Sequence, residues 1–424
     1  MAKPKLALIP AAQGSKFYSV LPSNGVGDFD FTRSGSATRI NKDGLIETVS
    51  SGVSRLNYPL IDGVVNGCPS HLLEPSRLQK IQYSEDIATH WSAGSSTITP
   101  NQGISPNGTL NADLVSSVSV NGNVSTSHTV LNDSLTTTQS IFVKHISGTS
   151  NFMLRGAFVG GTAIAKKSKF NLATSSVIST DTTASIEYYG KGWYRLSQQI
   201  SNNSSGNTTL VFQNFTTNDI ISTNELLLWG AQSEVGSYPT SYIPNYGTAA
   251  GVTRSAETAT GAGDASTFND SEGVLMVEIS ALADDGTYRI LSLNNGTSNE
   301  RVYMQYTNVS NTVAVVVKNG GVTQANISCV LPNETDFNKV LFKYKSNDFS
   351  LYVNGFEVGT DTSGNTPSGL SKLSFDDGND NNDFYGNTKQ LQYFDTALTD
   401  NELEQISSWV SFQEMAEGQL YTIE

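Results

Sequence analysis

The sharpest cluster of potential ligands lies near the C-terminal end, in the run Asp376-Asp377-Gly378-Asn379-Asp380-Asn381-Asn382-Asp383. Carboxylate and amide oxygens at such close spacing can satisfy a hard cation, and Gly378 permits the turn that would gather them. Asp376, Asp377, Asp380 and Asp383 are therefore the candidate calcium ligands. The run lacks the terminal Glu of an EF-hand loop, and its alternative reading is a solvated turn. No other cofactor is expected.

Other reactive side chains are scattered. His71, His90, His128 and His145 show no paired metal-ligand spacing such as HExxH, and each is expected at a surface or strand edge. No GxSxG elbow, Walker loop or Ser-His-Asp grouping stands out. Glycoside hydrolysis needs two carboxylates across the scissile bond, commonly arranged as Glu-x-Asp-x-x-Glu on one strand. The nearest run, Glu334-Thr335-Asp336, follows Pro332-Asn333, has no third acid and reads as a turn. No enzymatic activity is expected.

Aromatic rings could stack on sugars, and Trp193, Tyr188, Tyr189, Tyr303 and Tyr306 are the ones to weigh. Trp193 and Tyr194 follow a hairpin turn, where rings usually enter the core. Tyr303 and Tyr306 differ by three, so on a strand they face opposite ways and cannot form one platform.

The elements that must position these groups are strands. Hydrophobic residues make up 37% of the chain, enough for real cores, while charged residues make up only 15% and Ser, Thr, Asn and Gly fill the difference. Thr suits a pleated surface, and Asn and Gly supply the positive φ of hairpin ends. The formal net charge of −14 argues against gripping phosphate backbones and against attachment to an anionic membrane. Nucleic acid and membrane insertion are excluded as expectations, since no run of apolar residues is long enough to span a bilayer. Lys3 and Lys5 precede a short apolar run broken by Pro10, and no secretory signal is expected from it. Cys68 and Cys329 lie far apart and are read as free thiols.

Four regions follow one another. Residues 1–85 read as an irregular, turn-rich lead segment with β-like pieces at 28–31 and 44–49. Residues 86–250 carry regularly spaced short strands, including 140–144, 185–189 and a fully buried candidate at 226–229; Gly190-Lys191-Gly192 turns into Trp193. Residues 251–264, within a Gly-rich and Pro-containing stretch, read as a linker. In residues 265–424, Leu275, Val277 and Ile279 alternate, as do Val340, Phe342 and Tyr344, and Asn354-Gly355 marks a hairpin. Asn319-Gly320-Gly321 is expected to turn another pair. One helix is expected, capped by Thr399 with Glu402 three residues on, stapled by Leu398 and Leu403 and striped by Leu403, Ile406 and Val410. The fold class is all-β, two tandem β-sandwich jelly rolls with one short C-terminal helix.

Several stretches are familiar. Cys68 to Arg77, containing Leu72-Leu73-Glu74-Pro75, with Tyr83-Ser84-Glu85-Asp86 and Trp91, resembles the "LLEPxRTNLxxYSEDF" segment of bacteriophage tail and fibre proteins. Leu78-Gln79-Lys80 replaces the usual Thr-Asn-Leu. Gly192 to Arg195 is similar to their "GWYR" hairpin, and Trp229 to Asn245 to their "WGAQLExGSYxTSYIPT" segment. Residues 265–424 resemble a laminin-G-like, concanavalin A-like jelly roll that closes at Phe384-Tyr385-Gly386 and Phe394 to Asp400, and Ser408 to Ala416 resembles the endings of such fibres.

The resemblance implies a carbohydrate-binding-module-like sandwich at 86–250 and a non-enzymatic fibre, decoration or adhesion subunit of a virion, assembled in the bacterial cytoplasm. It implies host-surface carbohydrate as ligand and attachment to other virion proteins through residues 1–85. A homo-oligomer, with a trimer as first guess, would give the apolar pieces Leu6-Ala7-Leu8-Ile9, Phe29 and Phe31 neighbours to pack on. The alternatives are a tail-associated polysaccharide depolymerase and a secreted bacterial lectin.

Overall fold

Period-two patterning and tight turns dominate the chain, and the computed structural model turns them into 34 strands and two short helices among the described residues, which are 3–117, 122–215 and 224–409. The expected hairpins form where their turn chemistry allows. Asn354 and Gly355 both take positive φ and bring Val353 opposite Phe356. Lys191 and Gly192 do the same between Tyr188 and Tyr194, and Gly320 and Gly321 close Asn319 onto Val322.

The central sandwich consists of two six-stranded antiparallel sheets. One runs from Ser92–Gly94 to Ser176–Thr180, the other from Ser96–Ile104 to Ala184–Gly190. Ile141, Val143, Leu154, Phe170, Leu196 and Phe212 meet between them. The strand Glu225–Val235 lies inside the second sheet, which is why Leu226 to Trp229 is buried throughout.

The C-terminal sandwich packs a five-stranded sheet on an eleven-stranded one. Leu275, Val277, Ile279, Val340, Phe342 and Tyr344 face the core, against Leu291, Val302, Met304 and Val315 from the smaller sheet. The outer face of the large sheet is buried as well at its centre. The helix Asp400–Ser408 lays Leu403 and Ile406 on Val274, Met276, Leu341 and Phe394, so Glu272–Ala281 is covered on both sides. Glu402 Oε2 accepts the Thr399 backbone N–H at 3.0 Å, completing the expected capping box, and Leu398 joins the same cluster. Val410 and the tail from 410 onward lie outside the described residues.

Two expectations change. The lead segment is not irregular: Leu6–Gln13 pairs with Gly386–Phe394, placing Leu6 opposite Tyr393 from the other end of the chain. Lys16–Leu21 and Phe29–Thr32 extend that sheet, and Ser70–Leu73 joins it at His71 and Thr388. Leu6, Leu8, Phe17, Phe29 and Phe31 are thereby buried in the C-terminal core of their own chain, so they need no neighbouring copy to cover them. The 251–264 stretch is not a free linker either. Val252–Arg254 pairs with Arg77–Gln79, and Thr258–Thr260 pairs with Phe29–Thr32.

The lead segment also touches the central sandwich. The Asp62-Gly63 turn presses on the Gly190 turn so closely that a Cβ on Gly63 would stand 2.4 Å from the Gly190 backbone. Only glycine fits there.

Phe17 lies against Phe31, His71 and Phe375, residues from three distant parts of the chain. Phe17→Ala should cost about 3–5 kcal/mol, measured by denaturant unfolding, and removal of residues 1–32 should abolish the transition of the C-terminal sandwich. An unchanged transition in the truncated chain would show that the lead strands are dispensable.

Candidate ligand-binding cleft

Three dispersed segments build a cleft at one end of the central sandwich. Ser84 is held to the segment around Asn245 by two reciprocal bonds, its N–H to the Asn245 carbonyl at 2.9 Å and the Asn245 N–H to its Oγ at 2.9 Å. Tyr242 Oη contacts Ser84 Oγ at 2.7 Å and donates to Glu85 Oε1 at 3.1 Å. Asp86 Oδ1 caps the single-turn helix Ile87–His90 by accepting the Thr89 N–H, and its Oδ2 lies 3.1 Å from His90 Nδ1. The strand Leu110–Ser117 supplies Asn111 and Asp113.

Glu85, Asp86, Asn111 and Asp113, with Tyr83, Asn101 and Tyr246, line a cleft of about 580 Å³. Tyr83 sits at φ +51 with its ring stacked on His90, the centroids 3.4 Å apart. That ring passes over Gly247, where a Cβ would come within 2.8 Å of it. Tyr246 is 71% exposed, yet its hydroxyl is anchored on Glu85 Oε1 at 3.1 Å. A ring face open to solvent and held by its hydroxyl is suited to the apolar face of a sugar, and nearby amides and carboxylates to its hydroxyls.

Burial pushes the Glu85 carboxyl up, against the pull of the Tyr242 and Tyr246 hydroxyls. Burial likewise raises Asp113, opposed by the backbone N–H groups of Asn101 and Ala88. Tyr246 is pushed up to about 12 by burial and by the Glu85 charge. Every oxygen of the two carboxylates already accepts a hydrogen bond: Glu85 from Tyr242, Tyr246 and Asn111, Asp113 from Asn101 and Ala88. Acceptors fixed in this way orient a ligand well.

The sequence-selected residues fare differently. Asp376 Oδ1 accepts the Gly378 N–H at 2.6 Å, Asp377 Oδ1 accepts those of Asn379 and Asn381, and Asp383 Oδ2 accepts from Tyr385 at 2.7 Å. Arg301 bonds the Asp377 carbonyl. Burial raises the Asp376 and Asp383 carboxyls. Among the described residues no group of three or more His, Cys, Asp or Glu could hold a metal ion. Of the calcium candidates Asp376, Asp377, Asp380 and Asp383, three place carboxylate oxygens on the turn itself.

His71 is a core residue rather than a surface one, stacked on Phe17 and brought down to about 4 by burial. His128 is also brought to about 4 by burial, its Nε2 2.9 Å from Ser233 Oγ. Trp193, Tyr303 and Tyr306 are buried, the two tyrosines in different clusters on opposite faces. Tyr188 is half-exposed. Both cysteines are free thiols.

The motif residues beside the cleft prove structural. Glu74, of the Leu-Leu-Glu-Pro motif, and Glu257 sit among Arg33, Arg55 and Arg254, all five side chains sealed from solvent. Arg33 Nη1 donates to Glu257 at 2.7 Å, and Arg55 donates to both glutamates. Arg254 Nη1 reaches Glu74 at 2.8 Å, and Ser241 donates its N–H and hydroxyl to the same carboxylate. Burial alone would raise the Glu74 carboxyl, but Arg254 and Arg55 overcome it and hold it at about 2.

The fold is all-β, with a concanavalin A-like sandwich at its C-terminal end. Residues 275–404, under a third of the chain, match the family model described as the concanavalin A-like lectin/glucanases superfamily. Among solved structures, the CBM40 of Ruminococcus gnavus IT-sialidase, bound to alpha2,3 sialyllactose, is 19% identical over 35% of this chain and 87% of that chain, with a TM-score of 0.30. A mutant of NanB sialidase from Streptococcus pneumoniae is 17% identical over 34% of this chain and 25% of that one, TM-score 0.29. The binding domain of Botulinum neurotoxin DC, in complex with rat synaptotagmin II, is 12% identical over 37% and 41%, TM-score 0.29. At these scores the likenesses carry no inference about ligand. No curated protein matches the chain.

Glu257→Ala leaves Arg33 and Arg55 buried without their carboxylate, and should cost about 3–5 kcal/mol of stability. Glu74 has a depressed folded-state pKa, so its contribution is fully present above about pH 4.5 and lost as the pH falls toward 2. Denaturant melts at pH 7 and pH 3 check both: wild type should lose stability between them, and a smaller loss in Glu74→Gln identifies the carboxylate.

Proposed function

We propose that this chain is a non-enzymatic structural subunit of a bacteriophage particle, a fibre, decoration or adhesion protein, that binds host-surface glycan through its central sandwich. The observation that carries the binding is the cleft of Tyr83, Glu85, Asn111 and Tyr246, where an anchored but exposed ring faces fixed polar groups. The lectin-like match of residues 275–404 supports the same reading at the level of fold. The virion role rests on the resemblance of Leu72 to Pro75, Tyr83 to Asp86 and Trp229 to Asn245 to phage fibre segments. Multiple copies, a trimer first, would make weak sugar contacts effective through avidity. Ile61 and Val64, exposed at a hairpin tip of the lead segment, offer other virion proteins an apolar contact.

One observation favours the depolymerase reading, namely that Glu85 and Asp113 share a cleft and both are pushed up by burial. An assay separates the two. The purified protein should bind host-surface polysaccharide without releasing reducing ends. Tyr246→Ala should weaken binding about tenfold, with the fold unchanged by circular dichroism. Reducing-end release that disappears in Glu85→Gln or Asp113→Asn would establish the enzyme instead. Imaging of whole particles should place the chain on the exterior, and its absence from particles would remove the virion role.

A further inference from the structure

The charges lining the cleft are one-sided. Glu85, Asp86 and Asp113 contribute three carboxylates, while among the described residues lining it there is no lysine or arginine. The titratable base beside it is His90, held on Asp86 and against Tyr83. The buried carboxylates Glu74 and Glu257 are paired with guanidinium groups. Here two desolvated carboxylates rely on neutral donors alone, hydroxyl, amide and backbone N–H. A carboxylate has about four acceptor sites, so Glu85 and Asp113 each keep capacity beyond the donors they already bind. Asn111 Oδ1 is also out of solvent contact and accepts no hydrogen bond within the chain.

Resting on the reading of this cleft as a glycan site, we infer that it selects a sugar bearing a protonated amino group, of glucosamine type, over neutral and anionic sugars. An ammonium brings three N–H donors and the positive charge that the lining lacks. The pyranose ring beside it meets the exposed face of Tyr246, and ring hydroxyls meet Asn101 and Thr89. A sialic or uronic acid would instead set its carboxylate beside three like charges in a chain of net charge −14, with no guanidinium to receive it.

Titration calorimetry on the full chain in mildly acidic buffer tests this with four probes: a glucosamine trimer, its N-acetylated counterpart, sialyllactose and spermidine. The amino trimer should bind at least about tenfold more tightly than the acetylated one, and sialyllactose should not bind. Glu85→Gln should bring the two trimers within about twofold of each other, and Asp86→Asn, which keeps the helix-capping oxygen, should narrow the gap if Glu85→Gln fails to fold. Tyr246→Ala should weaken both trimers and leave spermidine unaffected. Equal binding of the two trimers overturns the charge selection while leaving the glycan reading intact. Binding of none of the sugars overturns the glycan reading and this inference with it. Spermidine binding as tightly as the amino trimer, with Tyr246→Ala without effect, overturns sugar recognition in favour of bare charge.

Discussion

Five charged side chains with no access to water, Arg33, Arg55, Glu74, Arg254 and Glu257, set the terms for everything around them. Removing an ion from water costs several kcal/mol even after relaxation, so such a cluster is tolerable only when every member finds a partner. They come from three stretches: Arg33 and Arg55 from the lead segment, Glu74 from the Leu-Leu-Glu-Pro motif, Arg254 and Glu257 from the 251–264 stretch. None of these stretches can leave without stranding charge. The segments flanking the sandwiches therefore meet in one buried junction, which Ser241, at the end of the central region, joins through its two bonds to Glu74.

That junction explains which parts of the fold were legible. Strands and hairpins were readable because their signals are local: alternation in Leu275, Val277 and Ile279, an Asn-Gly pair at 354–355, a capping box at Thr399 and Glu402. The destination of the lead strands was not readable. Nothing in the run Leu6–Gln13 announces a partner at Leu391 to Tyr393, since pairing between chain ends leaves no periodic trace. The 251–264 stretch misled for a related reason. Its few large apolar residues suggested a linker, but it is held by Arg254 and Glu257, and a buried charge looks in sequence like a solvated one.

The candidate site divides the same way. The Asp376–Asp383 run was visible because its carboxylates are adjacent in sequence, and adjacency is what lets them fold back on their own turn. The cleft was visible only as a fragment of motif, Tyr83 to Asp86. Its other members, Asn101, Asn111, Asp113 and Tyr246, come together through sheet register and through the bond pair between Ser84 and Asn245. A search for two acids on one strand could not find Glu85 and Asp113, which approach from a loop and a strand.

Scaffold and site thus share residues but divide the labour among them. Ser84 and Tyr242 are buried, bind each other and hold the Asn245 segment, so they support the cleft from beneath. Tyr246 is exposed, and it is fixed only through the hydroxyl it shares with Glu85. A change at Ser84 would therefore loosen the cleft as a whole, whereas a change at Tyr246 or Asn111 would alter what the cleft accepts while the junction held.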